Sequence, residues 1–515
     1  MLIANPITGS LDLSRLAVDL PTCPDWPWIS RFPIRVHLRL FAAKIVFVFL
    51  VIGSLMWASS RPRYGGTIRV QIQHRVTSLG PMDESEYPAD HDRLSSLIFE
   101  TLTQMDMQGH VRPCLASSWQ ADTFGRIWQF QLRVANFHSG AGVTASTVVA
   151  SLKTASPDWK ISASNRQTVV IETPVAAPHL PELLSLLRFA IARKMADGSL
   201  EGTGPYKLSA WQPGERALFA ANEEYWGGRA YPDSIEVQMG LSLREHLLER
   251  RLGPDHAAEP GIEQVRTLEQ SNQNVLLSRP ADLLAVVFLQ RDIQREPGNG
   301  VGRKPVDARI REAIADALNR SAISNVLLQR KSVPARGLLP QWLTGYEFLL
   351  PAETNMETAR KLRAEANTTV PVTLAYDFYD PVAKMVAERI AVDAREAGIF
   401  VQPFGDPHTT TASARKTLNA DAVLLRLPLR SVDATAALSG RVEELELSVE
   451  SSASILGASR PGDLFEVERK TLEDHRIIPV VHVPQALWLN SNVHNWQQLP
   501  NGAWRLEQLW VEGTR

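Results

Sequence analysis

Hydrophobic positions change their period often enough along this chain of 515 residues to delimit most of its elements. Tyr206, Leu208 and Ala210 alternate with Lys207 and Ser209, the period of a strand with one buried face. Pro213-Gly214 then reads as a turn, Arg216 to Ala220 as a returning strand, and Tyr225-Trp226-Gly227-Gly228 as an aromatic-closed loop. Ahead of them, Gly202 and Gly204 permit a tight turn and Pro205 fixes φ. Strands are also predicted from Gly65-Gly66-Thr67-Ile68-Arg69-Val70 onward, over Ile127–Arg133 and over Ser234–Met239. Asp282 to Leu289 is an unbroken apolar run of strand length, the pattern of a strand buried on both faces.

Helical spacing takes over elsewhere. Leu94, Leu97, Ile98 and Leu102 form a stripe over Asp92–Thr103, with Asp92 as the expected N-cap. Ile310, Ala313, Ile314, Ala317 and Leu318 share one face between Asp307 and Arg320. Further helices are predicted over Leu243–Leu252 and Glu357–Ala366. Pro371–Tyr376, a helix over Asp380–Ala397 closed by Gly398, and Ile399–Pro403 make a β-α-β unit, which requires a parallel strand pair. Apolar strands follow over Asp421–Leu427 and Ile477–Val483.

Composition narrows the class. Hydrophobic residues at 44% and charged residues at 21% describe a globular chain large enough for several cores. A net charge of −2 gives no basic field for nucleic acid. Two cysteines, Cys23 and Cys114, cannot build a disulfide framework, and Cys114 is expected to be a small buried residue. No G-x-S-x-G or H-E-x-x-H is present, so a hydrolase has no motif to stand on. Scattered histidines lead to the expectation of no metal and no other cofactor; His138 is expected to be a loop residue making one hydrogen bond. At the amino terminus, Arg31, Arg35, Arg39 and Lys44 precede a short apolar run over Ile45–Ala58 and the small residues Ala58-Ser59-Ser60. This is the pattern of an export signal, with cleavage expected after Ser60, or alternatively of an uncleaved anchor at residues 45–58.

Several ordered blocks carry a resemblance. G-T-G-P-Y at Gly202–Tyr206, followed by Pro213-Gly214-Glu215 and Tyr225-Trp226-Gly227-Gly228, resembles the extracellular solute-binding proteins of family 5, the peptide, opine and nickel receptors of ATP-driven importers. Val111 to Trp119, Phe137-His138-Ser139-Gly140 and Asp307 to Arg320 match further blocks in the family's order. Gly80, Thr101, Ser139 and Thr147 depart from it: Gly80, Ser139 and Thr147 stand where relatives carry aspartate, and Thr101 where they carry glycine. The resemblance implies an α/β fold, that of a two-lobed, class II-like periplasmic binding protein with a small α/β domain inserted in the first lobe. The implied parts are an extension and signal over 1–60, the first lobe over 61–82, 191–285 and 479–515, the small domain over 83–190 and the second lobe over 286–478. The segment between Leu438 and Phe465 is shorter than in relatives.

The implied function is an exported, monomeric receptor that closes on a small solute or short peptide and presents it to the permease of an importer. A tethered binding or sensor module uncoupled from transport is the alternative, and an exported hydrolase a more distant one. Carried over by position, the expected ligand contacts are Ser78, Phe288, Gln290, Arg430 and Asp433. Arg430 falls where amine-binding relatives hold aspartate, which implies that ligands with a free amino terminus are disfavoured. Packing in the core is the other reading for Phe288, and a solvated Arg430 in a slipped loop alignment is the other reading there.

Overall fold

In the computed structural model, which describes residues 64–240, 256–289, 305–366 and 370–512, the strands gather into three larger sheets and several two-stranded ones. The expected helix over 243–252, the export segment and Gln290 lie outside the described residues. In the first half of the chain the strands of the larger sheets are β1 (Thr67–Ile72), β2 (Ala116–Ala121), β3 (Ile127–Leu132), β4 (Lys160–Ala163), β5 (Thr168–Glu172), β6 (Tyr206–Gln212), β7 (Arg216–Ala221), β8 (Ser234–Met239) and β9 (Ala257–Ala258). Then come β10 (Val275–Leu277), β11 (Asp282–Phe288), β12 (Val333–Pro334), β13 (Val372–Asp377), β14 (Val401–Asp406), β15 (Ala422–Leu427), β16 (Ile477–Val483) and β17 (Ala486–Leu489). The helices that matter below are α1 (Pro88–Ile98), α2 (Ala145–Ala155), α3 (Ala308–Ala317), α4 (Met356–Ala366), α5 (Pro381–Glu396), α6 (Ala434–Glu444) and α7 (Pro461–Leu472).

The first sheet runs β6-β7-β8-β1-β9-β17-β10. Its β6–β7 hairpin forms because Gly214, at φ +73°, closes the turn that Pro213 begins, which pairs Gln212 with Arg216. Alternation in β8 sends Ile235, Val237 and Met239 into a core shared with Ile68, Val70 and Ile72 of β1. The second sheet runs β12-β16-β11-β15-β13-β14. Its central β11 is covered on both faces, as its unbroken apolar run requires, and pairs antiparallel with β15 and β16. The parallel pair β13–β14 is joined by α5, capped by Asp380 through the amides of Val382 and Ala383 and closed by Gly398 at φ +79°. The third sheet, β2-β3-β5-β4, packs on α2. Thr147 caps α2 reciprocally with Thr144, at 3.0 and 3.3 Å, so the threonine serves the helix start.

One expected helix start needs correction, and three expected domain boundaries cut across a strand or a shared core. Helix α1 begins at Pro88, with proline in its first turn, and Asp92 is an interior residue rather than the cap. A small-domain boundary at 83 would remove α1 from the first sheet, yet Leu94, Leu97 and Ile98 are buried in that sheet's core. Boundaries at 285/286 and 478/479 both cut through strands of the second sheet, β11 and β16, so the chain changes sheets earlier and later than expected.

Candidate functional site

Among the described residues the chain passes between the first two sheets twice, over 278–281 after β10 and over 484–485 after β16. The two passages are bonded to each other. Ser278 N donates to Gln485 O at 2.9 Å, Gln485 N to the Ser278 hydroxyl at 2.9 Å, and Ala281 N to Val483 O at 3.1 Å. Paired extended segments of this kind make a thin connection that bends more easily than either sheet. Arg441, 1% exposed on α6, braces them by donating to Pro428 O at 2.8 Å and Ala281 O at 3.3 Å.

Helix α1 divides the space beside these passages. Ala89 and Arg93, one turn apart, face both sides of a ridge; Asp90 falls on one flank, and Asp92 and Ser96 on the other. Arg93 closes the ridge by donating to Asp90 (2.8 Å), Glu259, Gln485 and Gly502 O (3.2 Å). Two adjoining chambers result, of about 1150 and 990 Å³ with open solvent included, each lined from both sheets' sides.

The chamber on the Asp90 flank is acidic. Glu86, Asp90, Glu259, Glu263, Asp282, Asp377 and Asp380 line it against Arg93, Arg426 and His74. Most of these carboxylates are matched: Asp90 by His74 at 2.8 Å, Asp380 by Arg426 at 2.7 Å, and Asp282 by Gln485 Nε2 at 2.9 and 3.1 Å. Burial pushes Asp282 and Glu259 up, against the pull of Arg426 and Arg93 on the first and of Arg93 on the second. Burial opposes ionisation of Asp380 too, but Arg426 outweighs it and the pKa is lowered.

The other chamber is bounded by α1, the segment Phe99–Met105, the Pro428–Val432 loop after β15 and the carboxy-terminal stretch Leu499–Glu507. Glu100 lines it but is spent. Its carboxylate receives the Tyr225 hydroxyl (2.8 Å), the Thr203 hydroxyl (2.7 Å), the Trp226 indole N–H (3.0 and 3.1 Å) and the Cys114 thiol (3.5 Å). Burial raises its pKa despite those donors, and burial likewise pushes the Cys114 thiol up. The Tyr225-Trp226 loop and the turn at Thr203 are thus both fastened to Glu100 at the foot of α1. An amide cannot accept from every one of these donors, so Glu100→Gln should lower stability by ~1–2 kcal/mol. Denaturant titration reads this, and an unchanged midpoint would show the carboxylate to be dispensable.

The expected contact residues separate. Arg430 lines this second chamber, with its side chain 27% exposed. Asp433 stands three residues on and caps α6, accepting from Ala436 N at 2.8 Å; its role in the structure is that of a cap, not of a partner to Arg430. Phe288 lies at the end of β11 remote from the passages and is buried with Ile310, Ile314 and Leu374, lining neither chamber, the arrangement of its other reading as core packing. Ser78 is half-buried after β1 and lines neither chamber. The His138 ring makes one loop hydrogen bond, to Gly204 O at 3.1 Å, while its amide donates to Gly202 O and its carbonyl receives Lys207 Nζ, each at 3.0 Å. The acidic chamber escaped the sequence reading because Asp90, Glu259 and Asp282 are isolated charges far apart in the chain; the one local signal was Asp282 at the head of an apolar strand.

Comparison with known proteins adds the lineage. The family profile of bacterial extracellular solute-binding proteins, family 5 (middle), matches residues 110–441. The probable D,D-dipeptide-binding periplasmic protein of Escherichia coli is 27% identical over 317 residues, 56% of this chain and 60% of that protein. The nickel-binding periplasmic protein of the same organism is 23% identical over 378 residues, 65% of this chain and 70% of that protein. The chain thus spans about 60% of the length of the first of these relatives. In structure, the dipeptide-binding protein of a Pseudoalteromonas species, solved with Met-Leu, superimposes with a TM-score of 0.73 at 15% identity, covering 87% of this chain and 100% of that one. That likeness establishes the fold.

Proposed function

Since the chain belongs to the bacterial extracellular solute-binding proteins of family 5, we propose that it is an extracytoplasmic receptor that captures a small solute or short peptide and hands it to the permease of an ATP-driven importer. Members of this family are binding proteins rather than enzymes, and their named relatives are periplasmic. The observation that carries the proposal is the pair of chambers lined from both sides of two hydrogen-bonded chain passages. A ligand touching both walls stabilises the approach of one to the other, and the passages at 278–281 and 484–485 supply the bend. The first lobe is then the part built on the first sheet with α1, the second lobe the part built on the second sheet, and the third sheet with α2 the inserted domain. The protein works as a monomer in this reading, and its export rests on the segment before residue 61.

Among the described residues no group of three or more His, Cys, Asp or Glu is arranged to hold a metal ion, and no helix is long and apolar enough to cross a membrane. Native mass spectrometry of gently purified protein would identify a retained solute. With that solute at saturation, solution scattering should give a smaller radius of gyration than the stripped protein. An unchanged radius would overturn the closure mechanism.

A further inference from the structure

Resting on that receptor reading, we propose that the chamber beside Arg430 takes a monoanionic carboxylate of the ligand, held by the Arg430 guanidinium and by the indole N–H of Trp504. Two donors that line the chamber, the Arg430 guanidinium and the Trp504 indole, are unspent among the described residues. Arg430 makes no hydrogen bond among the described residues, and its close ionic neighbour is Asp92 Oδ2, 3.8 Å from Nε. The other guanidiniums lining the two chambers are engaged: Arg93 by Asp90, Glu259, Gln485 and Gly502 O, Arg426 by Asp380, and Arg505 by Met105 O at 3.4 Å. Trp504, 4% exposed, lines the same chamber, and its Nε1–H has no hydrogen-bond partner among the described residues.

A buried donor left without an acceptor is costly, so these two groups call for oxygen atoms from whatever occupies the chamber. Two of the acceptors nearby are already taken. Glu100 receives four side chains, and Leu429 O receives Asn501 Nδ2 at 2.9 Å. An ammonium placed between Arg430 and Trp504 would meet a cation and a donor, with Asp92 as the carboxylate of the same wall. A carboxylate matches the planar fork of a guanidinium with two parallel acceptors. Charge sets the limit at one negative unit, because Asp92, Glu443 and Glu444 also face Arg430. Against burial, those three keep the guanidinium charged, and they oppose a dianion such as phosphate.

The test compares N-acetyl amino acids, which carry a carboxylate and no ammonium, with the matching N-acetyl amides and amino-acid amides. Calorimetry is run on the wild type, Arg430→Gln, Arg430→Lys and Trp504→Phe, beside scattering with the solute found by native mass spectrometry. The carboxylates should bind ~10-fold or more tightly than their amides, the worth of one charge-assisted pair. Arg430→Gln should erase that preference, Arg430→Lys keep part of it, and Trp504→Phe weaken carboxylates a few-fold. Equal or tighter binding of the amides, or a preference that survives Arg430→Gln, overturns the proposal. Compaction by a retained solute that lacks a carboxylate overturns it while leaving the receptor reading intact. Absence of both binding and compaction overturns the receptor reading, and this proposal with it.

Discussion

Gly202→Ala is expected to remove most of the protein's stability, by ~4 kcal/mol or more, although it adds a single methyl group. A Cβ at Gly202 would stand 2.0 Å from the carbonyl oxygen of Ile98 and 2.7 Å from its carbon; at Gly204 it would stand 2.5 Å from Leu97 O. Those neighbours are backbone atoms at the end of α1, so no side-chain rotation relieves the overlap. The turn is held against the helix by Gly204 N donating to Ile98 O at 2.8 Å, while Gly204 O receives Asn222 Nδ2 at 3.1 Å. Separating turn and helix would therefore break several bonds and shift α1, which carries Arg93 and Asp92 into the cleft. Against a total stability of ~5–15 kcal/mol, a loss of this size leaves little folded protein. Gly462→Ala is the control, because a Cβ there meets nothing within 4 Å and the position lies in a helix. Thermal denaturation should show a large fall in Tm, or no soluble protein, for Gly202→Ala and almost no change for Gly462→Ala. Equal midpoints for the two variants would show that the contact at Ile98 yields readily.

That turn also shows what was legible in the sequence. Glycine at two alternate positions before Pro205 marked a tight backbone, and alternation placed β6 and β7 correctly, because both signals are local. The single-sided face of α3 was equally plain, since Ile310, Ala313, Ile314 and Ala317 are all buried. What failed was direction and partnership. Strand β11 is buried along both faces, so its sequence has no alternation to tell which end meets the cleft, and Phe288 stands at the end away from the passages. Asp433 sits directly before Ala434-Thr435-Ala436-Ala437, a helix-start signature that outweighed any reading as a ligand contact. Asp92 reads as a cap in the sequence because the true start at Pro88 has no capping side chain to announce it. Position in the chain singles out Arg430, but its lack of hydrogen bonds among the described residues is visible only once Asp92, Trp504 and Glu444 are brought around it.

A pH dependence follows from another buried carboxylate, one that supports the passages between the sheets. Glu468 of α7 is fully buried and receives the amides of Leu338 and Leu339, the latter at 3.1 Å, and the Tyr346 hydroxyl at 2.9 Å. The segment it grips continues to Trp342, whose indole donates to Pro280 O at 2.8 Å within the first passage. Burial pushes the Glu468 pKa up to about 7, with Tyr346 and the two amides pulling it down and Glu347 adding to the rise. The folded pKa therefore lies above that of the unfolded chain. Between the two values the folded protein holds a proton that the unfolded chain has released, so stability must fall as pH rises. Its contribution is full below the ordinary glutamate range near 4.5 and is lost by pH 7 to 8, a change of ~3 kcal/mol. Other buried carboxylates, such as Glu347 with its lowered pKa, slope the opposite way. The measurement is therefore a difference: denaturation of the wild type and of Glu468→Gln at pH 4.5, 6 and 8. A glutamine keeps an oxygen for the two amides and cannot ionise, so the variant should gain on the wild type steadily across this range. Parallel curves would show that Glu468 stays ionised in the folded protein, with its three donors prevailing over burial. If the curves diverge as expected, ligand release should also quicken at the alkaline end in the wild type alone, because the carboxylate that ionises there anchors the segment bracing Pro280.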